Sequence, residues 1–171
     1  MRKARDIVGL PILSLQTGKK VGNVNDLLIN QEWQVHGICL RQKNWFTTPQ
    51  YMRWDNISSC GEDAITVEES NLLTEWDVDT ITFLEGKRKV KGLPVVTANG
   101  IQLGFVEDVY LEEQLGNKII GFELSEGFIS DVIEGRKWLP LEEPVIQGED
   151  ALIVPVHCQD HLKDFIVDKE E

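Results

Sequence analysis

From Gly22 to Ile29, and again from Gly104 to Leu111, apolar and polar residues alternate with a period of two. That is the spacing of a strand with one buried face. Short runs of Val, Ile and Leu between glycine-rich turns fill most of the remaining chain. Thr17-Gly18 and Asn99-Gly100 stand where a hairpin needs residues that tolerate positive φ. Many short strands at regular spacing predict an all-β protein, a small barrel or sandwich. Residues 68–84 break the pattern. Within them Asn71-Leu72-Leu73-Thr74-Glu75-Trp76 reads as one or two helical turns, or as irregular linker, and residues 157–165 read as a second short helix.

The pattern also repeats along the chain, and a repeat decides the architecture. Val8-Gly9-Leu10-Pro11-Ile12-Leu13-Ser14 returns as Lys91-Gly92-Leu93-Pro94-Val95-Val96-Thr97. The hairpin at 18–26, Gly-x-x-x-Gly-x-Val-x-Asp, returns at 100–108. Gly37-Ile38-Cys39-Leu40 matches Gly121-Phe122-Glu123-Leu124, and Gly61-Glu62-Asp63-Ala64-Ile65 matches Gly148-Glu149-Asp150-Ala151-Leu152. Four blocks keep their order at offsets between 82 and 87 residues, so the chain is a tandem duplication. The organisation expected is repeat 1 over 1–67, a linker over 68–84, repeat 2 over 85–156 and an acidic tail over 157–171.

Comparing the copies predicts which face is buried. His36, Ile38 and Leu40 align with Ile120, Phe122 and Leu124, so this face is expected in the core, together with Val67 and Val154. Cys39 aligns with Glu123 and is expected to point outward; Cys60, opposite Gln147, is expected near the surface. Tyr51 aligns with Trp138, and both are expected in the core.

The Gly-Leu-Pro-Ile opening, the 18–26 hairpin and the Gly-Glu-Asp-Ala-Ile closing strand resemble the PRC-barrel family. That fold is shared by the cytoplasmic domain of the photosynthetic reaction centre H subunit and the C-terminal domain of the bacterial ribosome maturation factor. The resemblance implies a six-stranded barrel per repeat and a bacterial tandem member. It brings no catalytic residues. The reaction-centre subunit's membrane helix and the maturation factor's N-terminal domain have no evident counterpart here.

Composition narrows the setting. An apolar fraction of 42% and a charged fraction of 27% suit a globular chain. No apolar run approaches the roughly 20 residues that span a bilayer, and no apolar stretch follows the basic start, so we expect a cytoplasmic protein without membrane insertion. The three cysteines form no disulfide pattern. Net charge is −12, concentrated in the second half, which disfavours a polyanion partner there.

Candidate chemistry is sparse. Asp26 and Asp108, with Gly22 and Gly104, hold matching hairpin places and are read as structural turn residues whose carboxylates accept backbone N–H groups at a turn or bulge. Glu62-Asp63 and Glu149-Asp150 are adjacent on extended chain and point apart. His157-Cys158-x-x-His161 is the metal-like spacing, but with only Asp160 and Asp164 nearby the expectation is a solvated tail, with no metal and no cofactor. Basic clusters open each repeat at Arg2, Lys3 and Arg5 and at Lys87, Arg88, Lys89 and Lys91. With Trp33, Trp45, Phe46 and Trp54 they suggest a cationic–aromatic face. Trp45 and Trp54, with Phe46 between them, are the aromatic excess of repeat 1 over repeat 2, which suits either a partner or packing between barrels. The reading is a non-enzymatic binding or scaffold module with a protein partner, homo-oligomerisation remaining open. The alternatives are ribosome or RNA maturation through the basic–aromatic face, and a metal- or carboxylate-dependent enzyme.

Overall fold

The computed structural model of the protein describes residues 1–77, 79–113, 116–126 and 135–164. Phe128 and Ile129, the expected counterparts of the aromatic segment, and Phe165 in the tail lie outside the described residues. The chain divides into one unit of Met1–Lys89 with Leu111–Ile119, and a second of Val90–Tyr110 with Ile120–Glu171.

The first unit opens with β1 (Arg2–Lys3) and α1 (Ala4–Ile7), followed by β2 (Pro11–Ser14), β3 (Lys20–Ile29), β4 (Val35–Leu40), β5 (Gln50–Arg53), β6 (Ile57–Cys60), β7 (Ile65–Val67) and β8 (Ile81–Thr82). Its strand order is β5-β4-β3-β2-β7-β6, with β8 on β3. The second unit contains β9 (Pro94–Thr97), β10 (Gln102–Leu111), β11 (Ile119–Ser125), β12 (Lys137–Pro140), β13 (Ile146–Gln147), β14 (Leu152–Val154), α2 (Cys158–His161) and β15 (Lys163–Asp164). Its order, β13-β14-β9-β10-β11-β12, repeats the first with β15 added beside β12. The registers agree as well. Ile12 pairs in parallel with Ile65 as Val95 does with Leu152, and Cys39 faces Tyr51 as Glu123 faces Trp138.

The long strands carry each unit's curvature. Strands β3 and β10 each lose register against the preceding strand, β3 near Gly22 and β10 between Gln102 and Gly104, as bulges do where a strand bends. At Gly104 φ is 151°, and a Cβ there would lie 2.7 Å from the Ser125 carbonyl oxygen. Gly22 and Gly104 therefore sit within strands rather than in turns; the turns are at Gly18 and Gly100, both at positive φ.

The expected core is present. Ile38, Leu40, Val67, Phe122, Leu124 and Val154 are all buried. Each contributes about 1.5–3 kcal/mol relative to an exposed side chain. Neither face follows the alternation strictly: the core face is partly open and the other partly closed. His36 and Ile120 are half-buried rather than core, and Cys39 is half-buried rather than outward. Glu123 is buried. The cause is a second layer of aromatics. Trp76 lies so close over Gly37 that a Cβ there would come within 2.6 Å of its ring, and it meets His36 edge-on at 5.2 Å. Trp138 covers Gly121 in the same way and meets Tyr110 edge-on at 5.0 Å. Trp138 and Tyr51 are thus half-buried covers, not core residues.

Residues 68–84 contain no helix among those described. They do not hang free of the first unit: Leu73 bridges Tyr51, Thr82 pairs with Leu28, and Ile81 and Phe83 are buried. Lys163 faces Trp138 at the corresponding place in the second unit. The tail helix covers only Cys158–His161 of the expected stretch. Among the described residues no helix is long and apolar enough to cross a membrane.

Candidate functional site

The loop from β4 to β5 is fixed by its own polar residues. Asn44 Oδ1 accepts the Phe46 N–H at 3.0 Å, and the Asn44 carbonyl accepts both the Thr47 N–H and its hydroxyl, at 3.2 and 2.7 Å. Gln42 Nε2 donates to the Thr47 carbonyl at 2.5 Å. This is the turn chemistry expected of an Asn at a loop apex. It holds Trp45 and Phe46 in a stack, ring centroids 3.7 Å apart, at 82% and 75% exposure. Beside Phe46 runs a groove of about 840 Å³, lined by Leu40 and Val21 and by three cations, Lys20, Arg41 and Lys43. Among the described residues no acidic side chain lines it, although the chain carries a net charge of −12. The groove, otherwise lined by amide and hydroxyl side chains such as Asn23, Gln42, Thr48 and Gln50, places positive charge beside the exposed aromatic pair, a setting suited to an anionic partner.

The other expected site residues go elsewhere. Trp54 is 6% exposed and belongs to the core of the first unit, because the short 3-10 turn at Trp54–Asn56 rotates it inward between β5 and β6. Trp33, at φ 57°, is also buried. Arg2 is committed to the main chain, its guanidinium donating to the carbonyls of Cys60 and Gly61. Arg88 donates to the Asp79 carbonyl at 2.5 Å. Lys3 is half-buried; Arg5, Lys87 and Lys89 are exposed. The cations beside the exposed aromatics are therefore Lys20, Arg41 and Lys43, which no cluster in the sequence singled out.

Asp26 is a buried clasp. Its Oδ1 accepts N–H groups from Leu27, Phe83 and Leu84 at 2.8, 3.1 and 2.9 Å, and Oδ2 accepts that of Glu85 at 2.9 Å. Burial raises the acid's pKa, against the lowering effect of those four bonds. Asp108 repeats the first of them, accepting the Val109 N–H at 2.9 Å. Cys39 lies near this carboxylate. Burial first, then the charges of Asp26 and Glu85, push its thiol up to about 11.

A separate cluster forms in the second unit, where α2 meets the segment following β12. Glu142 Oε2 lies 2.8 Å from His157 Nε2, and Oε1 lies 2.6 Å from His161 Nδ1. The buried Cys158 Sγ is 3.9 Å from the same Oε2. Residues 157, 158 and 161 share a helical face, so one carboxylate from a distant point in the sequence collects two imidazoles and a thiol. The expected solvated tail is thus anchored here, through Glu142, a residue that its sequence distance of fifteen or more positions concealed. Burial and the neighbouring carboxylate raise the Cys158 pKa.

Buried Glu123 also has partners: Tyr110 Oη donates to its Oε2 at 3.3 Å, and Arg136 lies 3.8 Å from its Oε1. Arg136 in turn pairs with Glu107 at 3.1 Å. The sequence comparison with Cys39 did not foresee this network; by the matched registers, the place of Arg136 is taken by Pro49 in the first repeat.

The chain is similar to the "Uncharacterized protein YrrD" of Bacillus subtilis (strain 168), with 26% identity over 156 residues, 90% of this chain and 87% of the relative. The family model for the PRC-barrel domain matches twice, over residues 1–73 and 85–157. These two spans bracket the two sets of strands that share one order and register, and the chain belongs to the PRC-barrel family, as a tandem of two such domains.

Proposed function

We propose that the protein is a non-enzymatic cytoplasmic binding module that captures a protein partner through the β4–β5 loop of its first repeat. The observation that carries this reading is the stacked Trp45–Phe46 pair, held out on a pinned loop at 82% and 75% exposure. A fixed apolar surface of this kind costs free energy in water unless something covers it, and exposed aromatics concentrate binding energy at interfaces. Lys20, Arg41 and Lys43 favour an acidic stretch of the partner beside the aromatic anchor. The groove joins aromatic surface to basic side chains, a combination suited to recognition.

The test is affinity capture from a bacterial lysate with the wild-type chain and with Trp45→Ala/Phe46→Ala. A protein retained by the wild type and lost by the variant, at a cost of about 2 kcal/mol per anchor, supports the reading. Equal retention by both removes it. A gel-shift with single-stranded RNA across a salt series is run in parallel. RNA binding that falls steeply with salt and needs Trp45 would replace the protein partner with a nucleic acid.

A further inference from the structure

We propose that Glu142, His157, Cys158 and His161 form a zinc site in the second repeat. This proposal is independent of the binding function assigned to the first repeat. Three of the donors, one from each of Glu142, His157 and Cys158, lie within 4.8 Å of one another, and His161 Nδ1 reaches the second carboxylate oxygen at 2.6 Å. A tetrahedral zinc ion with Zn–N and Zn–O near 2.0–2.2 Å and Zn–S near 2.3 Å separates its ligands by roughly 3.3–3.8 Å. The observed 2.8 Å from His157 to Glu142 and 3.9 Å from Cys158 to Glu142 bracket that spacing. His161 lies outside this three-donor group, on the second carboxylate oxygen, and would turn from there toward the common centre as the ion binds.

The donor chemistry selects the metal. Two imidazoles, one thiolate and one carboxylate are borderline-soft, which suits zinc and not magnesium or calcium. The thiol is the buried member while both imidazoles are exposed, so an ion would enter from the histidine side and be held from beneath by sulfur. The charge setting agrees, since residues 81–171 hold 18 acidic and 9 basic side chains. The arrangement also occurs in one copy. Residues 61–80, which close the first repeat, contain neither His nor Cys, so the cluster is not a feature the fold itself requires. Bound zinc would tie α2 to the segment after β12 and lock the end of the second unit, with release of the thiol proton as the ion enters.

The experiment uses the full chain without a polyhistidine tag, stripped with chelator and then given zinc alone. After desalting, elemental analysis should find about one zinc per chain in the wild type and less than a tenth of that in His161→Ala and Glu142→Gln. Both changes lie at exposed or half-exposed positions and leave the core intact. Cobalt substitution should produce a thiolate-to-metal charge-transfer band that Cys158→Ser abolishes. Zinc retention that survives His161→Ala and Glu142→Gln, absence of stoichiometric zinc in the wild type, or cobalt bound without a thiolate band would each overturn the site.

Discussion

Replacing Asp26 by Ala should loosen residues 83–85 from the first repeat at a cost that follows from its four hydrogen bonds. Phe83 N–H also reaches the Leu27 carbonyl at 3.1 Å and keeps that partner. The amides of Leu27, Leu84 and Glu85 lose theirs. A buried orphan donor costs about 1–3 kcal/mol. Leu84 is half-buried and Glu85 exposed, so water recovers part, and removal of a buried carboxylate offsets more. The net expectation is a loss of about 2–4 kcal/mol for the first unit. Asp26→Asn is milder, since only the Glu85 N–H faces an NH₂ group in place of Oδ2. The pH dependence has a definite sign. Burial raises the Asp26 pKa above its ordinary 3.8, so the folded chain takes up this proton before the unfolded one does. The stabilisation of the wild type relative to Asp26→Asn is fully present below pH 3.8 and fades as pH rises through the folded value. Site-resolved amide exchange is the assay, because a two-unit chain need not unfold in one step. Exchange at Phe83, Leu84 and Glu85 should accelerate far more than exchange in β6 and β7. Unchanged exchange at those three amides in Asp26→Ala, with stability within about 0.5 kcal/mol of wild type, would refute the clasp.

Three further outcomes are expected. With its pKa near 11 rather than 9.0, Cys39 should react with a thiol reagent at pH 8 about 100-fold more slowly than a free thiol; labelling at the free rate would contradict its burial. Because the acid is raised, its stabilisation holds below pH 9.0 and is lost as pH rises through about 11, which alkaline urea melts of wild type and Cys39→Ser compare. Gly37→Ala and Gly121→Ala should each cost on the order of 1–3 kcal/mol by urea melt, since the new Cβ would sit 2.6 and 2.2 Å from an indole and 3.0 and 2.8 Å from a carbonyl oxygen; a neutral effect would mean that the Trp covers are loose. Trp45→Ala should change stability by less than about 1 kcal/mol while Trp54→Ala costs about 3–5, and thermal melts of equal severity would deny Trp45 a binding role.

The strand plan was legible because both of its signals are local and occur twice. Period-two alternation marked β3 and β10, and the matching blocks aligned Cys39 with Glu123 and Tyr51 with Trp138, positions that the strands pair alike in both copies. Burial on the second face was not legible. Alternation reports which residues face the barrel interior, not what is laid over its outside. Trp76 covers Gly37 from the irregular segment, whereas Trp138 covers Gly121 from a strand, so alignment linked Trp138 to Tyr51 and missed its functional equivalent. Aromatic counting failed for a similar reason: Trp45 and Trp54 look alike in sequence, yet an Asn-led turn holds one out and a single 3-10 turn carries the other in.

What the two copies share and where they differ sort these features by kind. Asp26 and Asp108 occupy one place, are both buried, and both accept the N–H of the following residue. A role that the barrel needs is needed twice. The exposed Trp45–Phe46 stack and the Glu142–His157–Cys158–His161 cluster behave otherwise. The first is a surplus of aromatic residues in repeat 1, and the second has no histidine or cysteine to match it at the close of repeat 1. Neither contributes to the strand pairing that the copies have in common. Exposed rings and a carboxylate drawn between two imidazoles are also not what stability alone selects, since surface pairs of this kind contribute roughly 0–1 kcal/mol. Divergence between duplicates that leaves the fold intact but places chemically specific groups in only one copy is the expected trace of function added to a scaffold. On that reasoning the recognition site proposed for the first repeat and the zinc site proposed for the second are separate additions, and variants at the two should act independently: Trp45→Ala should leave zinc stoichiometry at one per chain, and His161→Ala should leave partner capture intact. Loss of partner capture in His161→Ala would join the two sites into one function and undo the division.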